Sequence, residues 1–302
     1  MEFRKLIKEI CEEEGINYNL ISKDWVMVLS KNNKIRCISG YRFSFNNHAL
    51  GSIIDDKYAF YDLCKLKNLP IIEHKILFNP YSKLGKNCNE LVNKYFNLYD
   101  KNVVIKPNMG TEGDNVYHIT DENNLKDFVN KLFENNFSIS ICPFYNIKNE
   151  YRVVVLNNNV ELIFEKSKPV VIGDGVKSIK ELLIELNPYY FNNILFDKKY
   201  DLILKSGEVY EYDWRFNLSK GATAKLVLDK ELYEKLSKFA IQVCNSINAK
   251  FVSVDIINSN NNFYLMEVNS GVCINKVCNF IDKDLKIAKN IYKKAIISMF
   301  EE

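Results

Sequence analysis

Apolar positions along the chain recur with two periods, and the switches between them mark out the elements. Phe3, Leu6, Ile7, Ile10 and Cys11 fall on one face of a helix predicted over residues 3–14, which Gly15 ends. "DWVMVLS" and "KIRCISG" alternate with period two around "KNNK", a hairpin signal. Helical spacing returns in "DDKYAFYDLCKLKNLP", with Asp55 as its cap, Tyr58, Tyr61, Leu63 and Leu66 as its packing positions, and Pro70 beyond its end. "IIEHKILF" predicts a strand and "NCNELVNKYFNLY" a helix. A compact α+β unit is predicted between about residues 100 and 145. It comprises a strand over Val103 to Lys106, a glycine turn, the strand "NVYHIT", a helix facing inward with Leu125, Phe128, Val129 and Leu132, and the strand "SISICPFY".

The second half repeats the alternation on a larger scale. "EYRVVVLNNNVELIFEKSK" is two strands around an Asn-rich turn, and "GDGVKSIKELLIELN" is a glycine turn opening into a helix that Pro188 stops. Residues 189–212 are strand-like and irregular. A long helix follows, striped by Leu232, Leu236, Phe239, Ala240, Val243 and Ile247. "FVSVDIINS" and "NNFYLMEVNSG" pair around an Asn turn, and "KDLKIAKNIYKKAIISMF" is a closing amphipathic helix. The fold class expected is α+β. The divisions expected are a helix-hairpin region over 1–50, a connecting segment over 51–100, a first module over 101–145 and a second over 146–302.

Composition narrows the function classes. The 302 residues are 47% hydrophobic and 26% charged, enough for an ordinary core. A net charge of +3, with lysines scattered among acids, argues against nucleic acid as a partner. No apolar run approaches the roughly 18 residues that cross a bilayer. The charged N-terminus "MEFRKLIKEICEEEG" does not read as a signal peptide. Eight cysteines without a CxxC, and only three histidines, read as free thiols in a reducing cytoplasm and not as a zinc site. Cys273 and Cys278 flank "INKV" and are the two thiols to watch for reactivity.

Chemistry concentrates at predicted strand ends. Glu267 and Asn269 are two apart on one strand, so they share a face, and Asp255 lies on the neighbouring strand, where a hairpin brings it opposite Glu267. Two carboxylates and an amide oxygen form a hard-oxygen site suited to Mg²⁺; the competing reading is an exposed hairpin with incidental acids. Lys106 ends a strand just before Gly110, Thr111 and Gly113, so a lysine and the N–H groups of a glycine turn can close on phosphate. Lys57 is a second candidate phosphate ligand. Arg215, between Trp214 and Phe216 and two residues before Asn217, is either a structural ion pair or an anion clamp.

In order along residues 50–302, these pieces resemble the ATP-grasp superfamily of carboxylate–amine ligases, most closely the ATP-grasp modules of cyanophycin synthetases and of bifunctional bacterial glutathione synthetases. The likeness is carried by "DDKYAFYDLCKLKNLPI", "VVIKPNMGTEG", "NEYRVVV…GDGVKSIKELLIELN", "WRFNLSKGATA" and "VSVDII…FYLMEVNSG". It implies two α+β modules clamping ATP, with the short N-terminal helix and hairpin as an extension. It implies that Lys57, Lys106, Gly110, Thr111 and Gly113 meet the phosphates and that Cys142, Pro143, Phe144 and Tyr145 form the hinge under adenine. Glu150 would meet the ribose, and Arg152 the nucleotide or a substrate carboxylate. Asp255, Glu267 and Asn269 would hold one or two Mg²⁺ ions. Arg215, near Asn217, would steady the γ-phosphate and the oxyanion, and with Lys106 carry catalysis.

The reaction implied joins an amine to a carboxylate through an acyl phosphate, releasing ADP and phosphate. Its substrate would be an amino acid, a short peptide or a peptide natural-product precursor. Two alternatives stay open: a nucleotide-binding regulatory protein on a degenerate scaffold, or another ATP-grasp chemistry such as thioester formation or carboxylation. Three departures from the family pattern stand out. Only about 50 residues precede the core, so the substrate pocket is expected to be either trimmed or completed by a homo-oligomer or a partner subunit. Paired glycines are replaced by Lys220-Gly221-Ala222, and the turn after Asn269 is "SGVCINK".

Overall fold

The computed structural model describes residues 2–111, 113–186 and 198–301. It divides into two compact units: one of residues 1–165 with 226–302, the other of residues 166–225.

The larger unit begins with α1 (Glu2–Glu13), which buries Phe3, Leu6, Ile7, Ile10 and Cys11, the face read from the periodicity. A four-stranded antiparallel meander follows: β1 (Asn17–Ile21), β2 (Val26–Lys31), β3 (Lys34–Ser39) and β4 (Arg42–Phe43). The expected hairpin is its centre, turned at Asn32 and Asn33, both at positive φ. The polar β1 escaped the alternation pattern. Aromatic rings weld this region to the rest of the unit. Phe3 packs on Tyr41, Phe43 and Tyr292, and Phe43 packs edge-on against Phe251.

Two helices stand where one was expected. α2 (His48–Asp55) is capped by Asn47, and α3 (Lys57–Leu66) is capped by Asp56, whose side chain accepts from the Ala59 N–H. Asp55 is thus not the cap but the last residue of α2. The α3 face is also shifted from expectation: Phe60 and Cys64 are buried, while Leu66 is 80% exposed.

The first functional sheet has the order β5-β8-β6-β7, all antiparallel. Its strands are β5 (Lys75–Phe78), β6 (Val103–Pro107), β7 (Tyr117–Ile119) and β8 (Ser138–Pro143). Helices α4 (Cys88–Leu98) and α5 (Glu122–Phe133) bury Val92, Phe96, Leu125 and Val129 against Val103, Ile105, Ile139 and Ile141. The sheet reaches back to β5, earlier in the chain than the start at about residue 100 expected for this module.

The central sheet runs through β9 (Asn149–Leu156) and β10 (Asn159–Lys166) to β14 (Phe251–Ser259) and β15 (Asn262–Asn269), in the order β10-β9-β14-β15. α7 (Lys230–Ile247) lays Leu236, Ala240, Val243 and Ile247 on one face of it, beside Val153, Val254 and Ile256. The first seven of the nine β14 positions are buried in an unbroken run, which marks a strand covered on both faces. The chain closes with α8 (Asn275–Ile281), a short helix the periodicity did not give, and α9 (Lys286–Glu301).

The smaller unit holds the antiparallel pair β11 (Val170–Ile172) and β12 (Val209–Glu211), with α6 (Ile179–Leu186) and a core of Val171, Ile179, Leu183, Tyr200 and Leu204. β13 (Ala224–Leu226) ends the segment. "GDGVKS" is a helix-entry device. The Asp174 carboxylate accepts from the Val176 and Lys177 N–H groups, and Ser178 and Glu181 cap one another. A Cβ at Gly173 would lie 2.3 Å from the Lys205 carbonyl, so only glycine fits there. Pro188, expected to stop α6, the stretch as far as residue 197, and Glu112 in the glycine turn lie outside the described residues.

Candidate functional site

The β14–β15 register places Asp255 directly opposite Glu267. The turn is tighter than the sequence suggested: Ser259 pairs with Asn262, and only Asn260 and Asn261 form the loop, both at positive φ. A strict two-residue hairpin would put Asp255 opposite Met266. The register shift between Asp255 and Ile256 leaves Met266 as a bulge and brings Glu267 into place instead. The Asn269 amide donates to Glu267 Oε1 at 3.1 Å, so these two side chains share a face as expected.

Asp255 is 1% exposed and lies in the fork of Arg152, its opposite number on β9. Arg152 Nε donates to Oδ1 at 2.6 Å and Nη2 to Oδ2 at 2.5 Å. Arg152, expected against a ligand, is therefore turned to this carboxylate. Burial works against its charge, but the Asp255 charge and hydrogen bonds outweigh that and raise its pKa. Glu150 is buried on the same strand, opposite Ile257 on β14.

Three N–H groups at the start of α3 are satisfied by two residues. The Lys57 N–H donates to the Asn108 carbonyl at 3.1 Å, the Tyr58 N–H to Asn108 Oδ1 at 3.1 Å, and the Ala59 N–H to Asp56 at 2.8 Å. Asn108 is fully buried and follows directly on β6, so the helix is docked onto the start of the glycine turn. The Lys57 amine reaches the Gly110 carbonyl at 2.6 Å and the Asn108 carbonyl at 3.4 Å. Burial, and then the charge of Lys106, push its pKa down to about 8, against the opposing pull of Glu267, Asp55 and Asp56. Lys106 is 9% exposed, and its amine meets no hydrogen-bond or ion-pair partner among the described residues. Beside these amines, His74 is 2% exposed and shares a hydrogen bond of 2.8 Å with Ser140, the cross-strand neighbour of Lys106. Burial, then Lys106 and Lys57, hold the pKa of His74 well below its ordinary value, so the ring is neutral.

Lys57, His74, Gly110, Thr111, Glu267 and Asn269 line one pocket, whereas Lys106, Asp255 and Arg152 are not among its lining residues. Arg42 and Asp55 also line it, and the sequence reading named neither as a site residue. Gly113 is at φ 68. The proposed hinge is already engaged within the protein. The Phe144 N–H donates to the Asn102 carbonyl, its ring stacks on His118 at 3.9 Å, the Tyr145 hydroxyl accepts from the Glu73 N–H, the Cys142 thiol faces the carbonyl of its cross-strand partner Val104, and Pro143 pairs with Val103. In the smaller unit Arg215 Nη2 donates to Asp213 at 2.6 Å, and Asn217 accepts from the Ser219 N–H, capping a single turn that ends in Gly221 at φ 94. Among the described residues no group of three or more His, Cys, Asp or Glu is gathered to hold a metal ion. The candidate set is two carboxylates and an amide, a donor set that fits Mg²⁺, which takes one or two carboxylates and completes its shell from phosphate and water.

Asn108, Arg42 and Asp213 were missed because nothing local marks them. Asn108 had one usable signal: an asparagine just after Lys-Pro, a residue type that caps helices, although the helix it caps lies 50 residues earlier.

The profile of the RimK-like ATP-grasp domain matches residues 206–294. The bifunctional glutathione biosynthesis protein GshAB of Listeria monocytogenes is 24% identical over 186 residues, 54% of this chain and 24% of that protein. GshAB of Clostridium perfringens is 25% identical over 221 residues, 71% of this chain and 27% of its own. The chain thus spans about a quarter of the length of these curated relatives. Among solved structures, the bifunctional glutathione synthetase of Pasteurella multocida aligns with TM-score 0.51 and 16% identity over 87% of this chain and 39% of that one. The D-alanine–D-alanine ligase of Bacillus anthracis aligns with TM-score 0.53 and 15% identity over 82% of this chain and 68% of that one.

Proposed function

We propose that this chain, a member of the ATP-grasp superfamily, is an ADP-forming carboxylate–amine ligase that makes an amide bond through an acyl phosphate. One observation carries the reading: Lys106, a buried amine with no partner among the described residues, lies within electrostatic reach of Lys57, which in turn feels Glu267. A buried cation left unpaired is costly unless an anion arrives to meet it. Lys57 and Lys106 together suit a polyphosphate, and Gly110 and Thr111 line the same pocket as Lys57.

Asp255, Glu267 and Asn269 would hold Mg²⁺, which offsets phosphate charge when bound. Arg152 holds Asp255 in place with two hydrogen bonds. The carboxylate substrate attacks the γ-phosphorus, ADP leaves, and an amine then displaces phosphate from the acyl carbon. The chain contributes position and charge. Lys106 and Lys57 offset negative charge as it shifts onto the leaving ADP. Arg215, held by Asp213, is the group proposed for the γ-phosphate and the oxyanion. The neutral His74 beside Lys106 adds no charge of its own. The substrate would be an amino acid, a short peptide or a peptide precursor, with a partner subunit or a second copy completing its pocket. Eight unpaired cysteines favour a reducing cytoplasm, and among the described residues no helix is long and apolar enough to cross a membrane.

The test is an ADP-release screen with Mg·ATP against single amino acids and dipeptides, with product identified by mass. Substrate-dependent ADP and a condensed product are expected, and Glu267→Gln and Lys106→Ala each abolish turnover while circular dichroism stays native. Release of AMP and pyrophosphate, or full activity in either variant, defeats the proposal. A bicarbonate or thiol requirement would redirect it to carboxylation or thioester formation, and nucleotide binding without turnover to a regulatory role.

A further inference from the structure

The N-terminal meander does more than fill out the larger unit. Its last strand, β4, reaches the segment that follows β15: Arg42 bridges Gly271 in antiparallel fashion, and the Val272 N–H donates to the Tyr41 carbonyl at 3.0 Å. This contact carries the Arg42 side chain into the pocket that Lys57, Glu267 and Asn269 line. There Arg42 grips Asp55 at the end of α2 with both terminal nitrogens, each at 2.8 Å. The pair is half open to solvent, with side chains 50% and 28% exposed.

A structural ion pair would sit as well anywhere on the surface, and exposed pairs add little stability. Here the two charges are instead presented side by side at the wall of a cavity. Arg42 retains its Nε–H and two outward N–H groups after the fork to Asp55, and each Asp55 oxygen retains a lone pair. The pair is neutral as a unit, so a plain anion is drawn by Arg42 and repelled by Asp55. A phosphate therefore gains less from this pair than from Lys57, which lines the same pocket. A zwitterion gains from both partners: its carboxylate meets the guanidinium while its ammonium meets the carboxylate. Ile54, Phe60 and Ile71 supply an apolar wall next to the pair.

We propose that Arg42 and Asp55 recognise the paired ammonium and carboxylate of a free α-amino acid, which names the substrate class of the ligase reading and rests on it. Arg42 is then a specificity-determining residue supplied by the N-terminal meander.

The experiment uses the full chain, Mg·ATP and each of the twenty amino acids in turn, with Arg42→Ala, Arg42→Lys and Asp55→Asn beside the wild type. ADP release dependent on at least one amino acid is expected. Arg42→Ala raises the KM for it about tenfold or more, the usual loss for a charge-assisted hydrogen bond, and leaves the KM for ATP unchanged. Lysine, without the planar fork, does not restore it, and Asp55→Asn raises the same KM. An Arg42→Ala enzyme with wild-type KM for the amino acid overturns the assignment and leaves the ligase reading standing. So does a wild type that releases ADP only with acids lacking an α-amino group. A wild type that binds no ATP, or releases no ADP with any amino acid or dipeptide, removes both together.

Discussion

The fork between Arg152 and Asp255 offers a test that needs no substrate. Removing one partner from a buried pair strands the other charge, at a cost of about 3–5 kcal/mol. Asp255 is 1% exposed, but the Arg152 side chain keeps 23% of its exposure, so water screens part of that loss. Asp255→Asn is therefore expected to cost about 2–3 kcal/mol, at or just below the lower limit of that range. Arg152→Met is expected to cost a similar amount, because it removes both guanidinium hydrogen bonds from the buried Asp255 carboxylate. The double variant is expected to lose less than the two single losses together, with a coupling of about 2 kcal/mol, typical for charged neighbours sharing two hydrogen bonds. Urea unfolding of all four proteins by far-ultraviolet circular dichroism measures it. Coupling below about 0.5 kcal/mol, the scatter of independent sites, would refute the view that Arg152 is there to hold this carboxylate. If turnover is found, the double variant should recover stability without recovering activity, separating the structural role of the pair from the metal-binding role proposed for Asp255.

Lys57 sets a pH dependence. Its folded pKa is about 8, lowered first by burial and then by Lys106, against about 10.4 when unfolded. The unfolded chain thus binds more protons between these values, and stability relative to Lys57→Met should rise with pH through that window and stay flat below it. The full shift corresponds to about 3 kcal/mol, and partial solvent access should leave roughly 1 kcal/mol in denaturation measured from pH 7 to 10.5; a fall over that range contradicts the burial argument. Gly221 sits at φ 94 with the Tyr212 hydroxyl 2.0 Å from where a Cβ would lie. Gly221→Ala should open the turn that Asn217 caps and raise its proteolytic susceptibility at least several-fold, with Tyr212→Phe giving no rescue of the backbone strain; unchanged proteolysis would show that the turn adapts.

What the sequence made legible was what repeats or alternates. The buried face of α1, the stripe of α7 and the β9–β10 pair all follow from period alone, and so does the shared face of Glu267 and Asn269. The meeting of Asp255 with Glu267 was foreseen, but not the bulge that permits it, since an extra residue leaves no trace in hydrophobic alternation. α2 was missed because eight residues containing a glycine carry too few periods to register, and the Asp55-Asp56 dipeptide offered two equally good caps. The partners of the candidate site residues were out of reach for another reason. Arg152 and Asp255 stand 103 positions apart, and Lys57 finds Gly110 across 53. Such pairs are made by topology, and local pattern cannot supply them. Arg215 was left between an ion pair and an anion clamp on its aromatic neighbours, while Asp213, two residues away, is what engages it.

Met266 is the one residue of this strand that the pairing does not count. Deleting it would straighten the hairpin and leave Glu267 as the regular partner of Asp255, with every acid on its present side. Inserting one residue beyond it would instead carry Glu267 a step past Asp255 and turn it to the opposite side of the sheet. This hairpin therefore tolerates the loss of a residue at its bulge better than a gain.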